Sequence, residues 1–305
     1  MRAATLGMLC LGEALVDLIG EQPVDSIGQV RRFAPHVGGT VANVAVVAAR
    51  AGAPVALAGG AGDDEWGRWL LARLTAEEID LSRFALLPDV QTQLAFVAVD
   101  PDGEPTYVLY GEPAQALVEA IGDRVAEAVG ASAGLLISSN TLAGERERAV
   151  TMQARDVALN RTPPAPVVFD CNIRLHRWSS RTDAAASANA CVPGALLVRA
   201  NQAEAELMTG ESDPERAALA LRKAGAQLVA ITLGSGGALL RGAEKADVAA
   251  FRTRVLSTVG AGDAFTGTLV AKLVLSEFYP PAVAAALSEA AHAAARACER
   301  WGSLD

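Results

Sequence analysis

The chain has 305 residues, 51% of them hydrophobic and 20% charged, and a net charge of −9. Much of the apolar share is alanine, which favours many helices, and no apolar run is long and uncharged enough to cross a bilayer. Acidic residues outnumber basic ones 35 to 26 and no basic cluster stands out, which argues against nucleic acid as a partner. Cys10, Cys171, Cys191 and Cys298 form no C-x-x-C pair, and His36, His176 and His292 show no ligand spacing to them. A zinc site and a disulfide scaffold are therefore not expected, and a reducing cytoplasm is.

In chain order, the segment Ala3 to Gly12 meets Glu13 and Asp17 too soon for a signal peptide and reads as a buried first strand. Apolar runs then recur with helical stretches between them: Leu6 to Leu11, Pro54 to Ala58, Leu135 to Ser138, Val167 to Phe169, Ala195 to Val198 and Leu228 to Thr232. That alternation predicts one α/β domain over 1–305 with a mostly parallel sheet covered by helices. Sites in such folds lie at the carboxyl ends of strands, where Gly12-Glu13, Asp170 to Asn172, Asn201 and Gly234 follow. Thr92 to Val99, the turn Asp100 to Gly103, and Thr106 to Tyr110 read as a β-hairpin, and Ala14 to Phe33 adds further strand. Thr162 to Pro166 reads as a loop, and Ala282 to Ala297 as a half-buried helix.

Several segments carry chemistry. In Ser257-Thr258-Val259-Gly260-Ala261-Gly262-Asp263-Ala264-Phe265, two glycines allow a tight turn whose N–H groups point at one spot, and a following helix dipole favours an anion there. Asp263 would repel a resting anion, which suits a base that takes a proton from an attacking hydroxyl; it also suits a plain helix N-terminus. A Walker A loop would need Lys followed by Ser or Thr, and a dinucleotide fingerprint a glycine where Phe265 stands. Gly38-Gly39-Thr40-Val41-Ala42-Asn43 brings bare backbone and an amide towards a polyhydroxylated ligand, or caps a helix through Thr40. Asn201-Gln202-Ala203-Glu204 fits either a water-mediated Mg²⁺ contact or a capping box.

Taken together and in order, six segments resemble the ribokinase-like (PfkB) carbohydrate kinases. Gly12 to Asp17 resembles the family's G-E-x-x-x-D, Gly38 to Asn43 its G-G-x-x-x-N, and Gly59 to Gly67 its G-x-D-x-x-G. Asp170-Cys171-Asn172-Ile173-Arg174 with Trp178 resembles the D-P-N-x-R…W of fructokinases and 2-keto-3-deoxygluconate kinases. Asn201 to Glu204 resembles N-x-x-E, and Ser257 to Phe265 resembles D-T-x-G-A-G-D-x-F. The resemblance implies a ribokinase-like sheet flanked by helices, with a small β lid from residues 14–33 and 92–110 through which many members form homodimers. It makes Asp263 the catalytic base and Gly260, Ala261 and Gly262 an anion hole. Asp17, Gly38, Gly39, Asn43 and Arg174 fall to the acceptor, with Arg174 also suited to the γ-phosphate. Asn201, Glu204, Thr232, Gly234, Gly236 and His292 fall to ATP, and Glu204 to Mg²⁺ through water. Ser257 replaces an Asp that helps several members hold a monovalent cation, which puts potassium activation in doubt.

The implied reaction is phosphorylation of a sugar hydroxyl by ATP with Mg²⁺. The opening segment and Asn172-x-Arg174…Trp178 lean towards fructokinase. In the stretch Tyr110-Gly111-Glu112-Pro113-Ala114-Gln115, Gly111 stands where many of these enzymes carry an Arg, which disfavours an acidic sugar. A neutral sugar, fructose or one close to it, is expected; 2-keto-3-deoxygluconate kinase, ribokinase and nucleoside kinase are the alternatives within the family. A sugar- or nucleotide-binding regulator that lost catalysis is the alternative outside it, motivated by Ser257, Gly111 and His292. A nicotinamide-dependent oxidoreductase lacks its N-terminal glycine fingerprint.

Overall fold

A computed structural model describes residues 6–111 and 115–304. The chain opens with β1 (Leu6–Leu11), β2 (Leu15–Pro23), β3 (Ala34–Gly38), α1 (Thr40–Arg50), β4 (Val55–Gly62), α2 (Glu65–Thr75) and β5 (Asp80–Leu87). There follow β6 (Leu94–Val99), β7 (Pro105–Tyr110), α3 (Gln115–Ile121), α4 (Val125–Gly130), β8 (Ser132–Ser138), α5 (Glu145–Asn160), β9 (Val167–Asp170) and α6 (Arg181–Asn189). The last third runs β10 (Leu197–Asn201), α7 (Gln202–Thr209), α8 (Pro214–Lys223), β11 (Leu228–Thr232), β12 (Ala238–Gly242), β13 (Ala246–Val248), α9 (Ala261–Leu275) and α10 (Pro281–Ala297).

Nine strands form one sheet in the order β13-β12-β11-β10-β9-β8-β1-β4-β5. From β11 to β5 the neighbours run parallel, and β12 and β13 close one edge antiparallel. The predicted mostly parallel sheet flanked by helices is thus what the chain forms. Its parallel strands are apolar throughout because both faces are covered. Side chains alternate between faces, so in β1 Met8 and Cys10 enter one core while Leu9 and Leu11 enter the other. Helices α1, α2, α9 and α10 cover the first core, and α3 to α8 the second.

The order of strands reverses at β1. The chain first builds outward through β4 and β5, then returns to lay β8 on the other flank of β1 and continues to β11. Loops leaving β1 and β8 therefore diverge and open a crevice at their carboxyl ends, the usual place for a ligand in such sheets.

A second sheet has the order β3-β2-β6-β7. Its hairpin β6–β7 pairs Leu94 with Tyr110 and Val99 with Pro105, in the segments read as a hairpin from sequence. Asp64 fastens this sheet to the main body. It caps α2 by accepting from Gly67 N at 2.8 Å, and also accepts from Thr92 N and Thr92 Oγ1, both at 2.8 Å.

Some elements differ from the sequence reading. Within 14–33 only β2 is a strand, with a short 3₁₀ turn at Ile27–Gln29, and its antiparallel partner β3 lies beyond, at 34–38. Pro35 and Gly38 mark that segment as a loop by local rules, yet it sits at the edge of the small sheet, where a missing donor is tolerated. Strands β5, β12 and β13 were not expected; they are outer strands whose partners, not their own pattern, define them. Glu112, Pro113, Ala114 and the side chain of Gln115 lie outside the described residues.

Leu57 of β4 is 0% exposed in the first core. Leu57→Ala should lower unfolding free energy by roughly 2–5 kcal/mol in urea titrations, the cost of lost burial plus a cavity.

Candidate active site

Asp263 lies in the first turn of α9, which starts at a left-handed glycine, Gly260, with φ 77°. A Cβ at Gly260 would stand 2.4 Å from Ser303 Cβ, and one at Gly262 would stand 2.8 Å from Arg199 Nη1. The left-handed φ makes glycine necessary at Gly260, a side chain at Gly262 would press on the Arg199 guanidinium, and the turn is packed from two sides. Helices α1 and α9 approach closely at Gly267, where a Cβ would lie 2.6 Å from Val47 Cβ. That contact brings Asn43 of α1 up to Asp263, and Asn43 Nδ2 donates to Asp263 Oδ2 at 2.8 Å. Burial pushes the Asp263 pKa up to about 7; Asp170 adds to the rise, while the Asn43 hydrogen bond, Arg174 and Arg199 oppose it.

A cavity opens in front of this turn. Six of the residues expected from sequence line it: Asp17, Gly39, Asn43, Arg174, Gly260 and Asp263. The small sheet supplies one wall, through Leu15, Asp17, Ala95, Tyr107 and Leu109. Asp17 is 6% exposed and is raised to about 7, by burial first and by the like charge of Asp263 next, against Arg174 and His36. Gly38 sits behind it, its absent Cβ 2.5 Å from the Asp17 carboxylate carbon, so any side chain there would displace Asp17. The Arg174 guanidinium lies 5.4 Å from the centre of the Tyr107 ring, a cation–π contact joining the small sheet to the loop after β9.

At the cavity's other wall, Glu13 Oε1 accepts from Thr40 N at 3.1 Å and from Asn140 Nδ2 at 3.0 Å. The cap of α1 is Gly39, so Thr40 does not cap it; its hydroxyl accepts instead from the amides of Asn140 and Asn172. Asn172 reaches it from a turn with φ 29°, a conformation asparagine tolerates.

Beneath the turn lies a buried polar network. Arg199 of β10 is 6% exposed and Asp170 of β9 is 1% exposed. Arg199 Nη1 donates to Asp170 Oδ1 at 3.3 Å and Nη2 to Thr232 Oγ1 at 2.9 Å, while Thr266 Oγ1 of α9 donates to Asp170 Oδ2 at 2.5 Å. A fixed cation thus stands directly under Gly262. Glu204 forms a capping box with Asn201: its Oε2 accepts from Asn201 N at 2.8 Å, and Glu204 N donates to Asn201 Oδ1 at 2.9 Å. Its Oε1 accepts from Ile173 N at 2.9 Å and so holds the loop that carries Arg174. Each Glu204 oxygen thus accepts one backbone N–H, which fixes the carboxylate's orientation. No group of three His, Cys, Asp or Glu among the described residues could hold a metal directly.

The remaining expected residues lie off the cavity wall. Ala261 and Gly262 continue the turn, and Gly234 and Gly236 form an exposed 3₁₀ turn after β11. His292, exposed on α10, stacks on Phe251 with ring centres 5.0 Å apart. Ser257 is buried and its Oγ accepts from Val259 N at 3.1 Å, a neutral group in the place of the family motif's carboxylate. Sequence reasoning missed the parts played by Arg199, Thr266, Asn140, Tyr107 and Ser303. Only Arg199 left a signal, as a lone charge inside the apolar run Leu196 to Ala200.

Residues 6–303 match the model for pfkB family carbohydrate kinase. The chain belongs to this family. It is 29% identical over 269 residues to fructokinase-1 of Oryza sativa subsp. japonica, covering 88% of this chain and 83% of that one. Fructokinase-2 of Solanum lycopersicum is 28% identical over 275 residues, covering 89% and 83%. Among solved structures, fructokinase from Xylella fastidiosa with bound ATP aligns with TM-score 0.82 at 26% identity, covering 98% of this chain and 94% of that one. Fructokinase from Vibrio cholerae O395 with fructose, ADP and calcium aligns with TM-score 0.81 at 26% identity, covering 99% and 96%. As a PfkB kinase the protein is a sugar phosphotransferase, and no helix among the described residues is long and apolar enough to cross a membrane.

In this PfkB kinase the Asp170–Arg199 pair is buried, at 1% and 6% exposure. Asp170→Ala, which leaves Arg199 buried without its carboxylate, should lower unfolding free energy by about 3–5 kcal/mol in denaturant titrations. Loss near zero would show that Arg199 is satisfied elsewhere.

Proposed function

We propose that this PfkB kinase transfers the γ-phosphoryl group of ATP to a hydroxyl of a neutral sugar, fructose or one close to it. The observation that carries this reading is the placement of Asp263, a buried carboxylate raised to about 7, beside a glycine turn at the start of α9 and on the wall of a polar cavity. Asp263 accepts the proton of the attacking hydroxyl, while Asn43 fixes which carboxylate oxygen is free to do so. The N–H groups of Gly260 to Gly262, at the positive end of α9, face charge that develops on the transferring group, and Arg199 adds a fixed positive field beneath them. Arg174 offers a planar fork to phosphate, held by its stacking on Tyr107. Mg²⁺ would neutralise phosphate charge, with Glu204 and Asn201 placing its waters.

Charge supports a neutral acceptor. Glu13, Asp17 and Asp263 line the cavity against Arg174 and Arg177, so an acidic sugar would add to an excess of carboxylates. Gly111 has φ 92°, a conformation that disfavours the arginine many fructokinase-like members carry there. The small sheet, which walls the cavity on one face, serves as the lid; Val108 and Tyr110, 36% and 58% exposed, give two copies an apolar strip on which to pair.

Asp263→Asn should lower kcat by about 10²–10⁴-fold with ATP binding retained in calorimetry. Near-normal turnover would remove Asp263 from the mechanism. Because a protonated carboxyl cannot accept a proton, kcat should rise with pH up to about 7 and level above it. Asn43→Ala removes a hydrogen bond that favours the ionised form, so the acidic limb should move upward by about one to two pH units. An unmoved limb would assign that titration to another group.

A further inference from the structure

We propose that Glu13 and Arg177 together hold a second, non-reacting hydroxyl of the acceptor, and so decide which sugar the kinase accepts. This rests on the sugar-kinase reading above and deepens it. Glu13 is 5% exposed and stands at the carboxyl end of β1, where the strand order reverses and the crevice opens. Thr40 N and Asn140 Nδ2 both bind its Oε1 and fix the carboxylate's orientation. Its Oε2, equally buried, has no hydrogen-bond partner among the described residues. A buried carboxylate oxygen is not left unpaired without cost, and Glu13 lines the cavity, so the missing donor has to enter from there.

Two more atoms of the cavity lining are unmet, towards its Asp263 end. Asn43 Oδ1 and Ser303 Oγ are buried without partners, and both residues line the cavity. Glu13 Oε2, as a carboxylate, and Asn43 Oδ1 can only accept, which calls for a ligand rich in O–H groups. Arg177, on the single turn Leu175–Arg177, lines the cavity too, and among the described residues nothing accepts a hydrogen bond from its guanidinium.

The pairing of a free acceptor with a free donor selects the chemistry. One hydroxyl can donate to Glu13 Oε2 and accept from Arg177 at once. A carboxylate or phosphate would satisfy Arg177 but press against Glu13. The electrostatic neighbours separate two ends of the cavity: Asp263 feels Asp170, Arg174 and Arg199, whereas the charge that Glu13 feels is Arg177. The acceptor therefore carries a reacting hydroxyl at the Asp263 end and a recognised one at the Glu13 end.

Glu13→Gln tests this sparingly, since glutamine keeps one oxygen for Thr40 N and Asn140 and replaces the free acceptor by a donor. Wild type, Glu13→Gln and Arg177→Met are assayed for ADP release on fructose, tagatose, ribose, 2-keto-3-deoxygluconate and nucleosides. The best wild-type acceptor is then compared with each of its monodeoxy analogues. Glu13→Gln should lower kcat/KM on the parent sugar by roughly 10–100-fold, mainly through KM, with the acidic limb of kcat unmoved. Removal of one particular hydroxyl should cost wild type a similar factor and cost either variant almost nothing. Variants that discriminate every deoxy analogue as wild type does would overturn the proposal, and so would a preference for an acidic sugar lost in Arg177→Met but not in Glu13→Gln. If the best acceptor is a neutral sugar unlike fructose, the fructose reading falls while the deoxy series still decides the proposal. Wild type inactive on every polyol would remove both.

Discussion

A carboxylate that is to accept a proton has to be out of water yet not so isolated that it stays protonated. In the reaction proposed for this chain, that conflict is met at the start of α9. Burial and Asp170 raise Asp263, and Asn43, Arg174 and Arg199 pull it back. Each of those opposing groups comes from a different element: Asn43 from α1, Arg174 from the loop after β9, Arg199 from β10. The raised carboxylate is therefore not a property of its own segment, and the packing of α1 on α9 at Gly267 is as much part of its setting as Asp263 itself.

The same logic runs through the ground beneath the turn. Arg199 sits in a buried strand with Asp170 and Thr232 receiving its two Nη donors, and Asp170 in turn takes the hydroxyl of Thr266 on α9. A polar network so fully enclosed adds little net stability and is costly to leave half satisfied. What it does secure is geometry, since strand and helix cannot slide without breaking it. Glu204 extends the effect by holding both the first turn of α7 and the backbone at Ile173, which sets the loop bearing Arg174.

The small sheet completes the arrangement from outside. Asp17 can stand in the cavity because Gly38, across the pairing of β2 with β3, offers no side chain in its way. Tyr107 under Arg174 and Thr92 on Asp64 tie that sheet to the main body. The like charges Asp17 and Asp263 face each other across the cavity, and a hydroxyl between them would find an acceptor at either side.

The sequence by itself determined the layered parallel sheet, because strands covered on both faces must be apolar along their whole length, and the runs from Leu6 to Thr232 say so. It determined the turn as well: two glycines ahead of an apolar helix can be read locally, since a tight turn and a left-handed φ are demands on single residues. Edge strands such as β3 and β13 were not legible, because an edge is defined by its neighbour. The tertiary structure alone decided which polar atoms are paired and which are left facing the cavity. Glu13 and Arg177 lie 164 positions apart in the chain, and no local pattern tells that one carboxylate oxygen is spent on Thr40 while the other is free. Partnership between distant side chains depends on strand order and helix approach, which are set by the summed burial of the whole core.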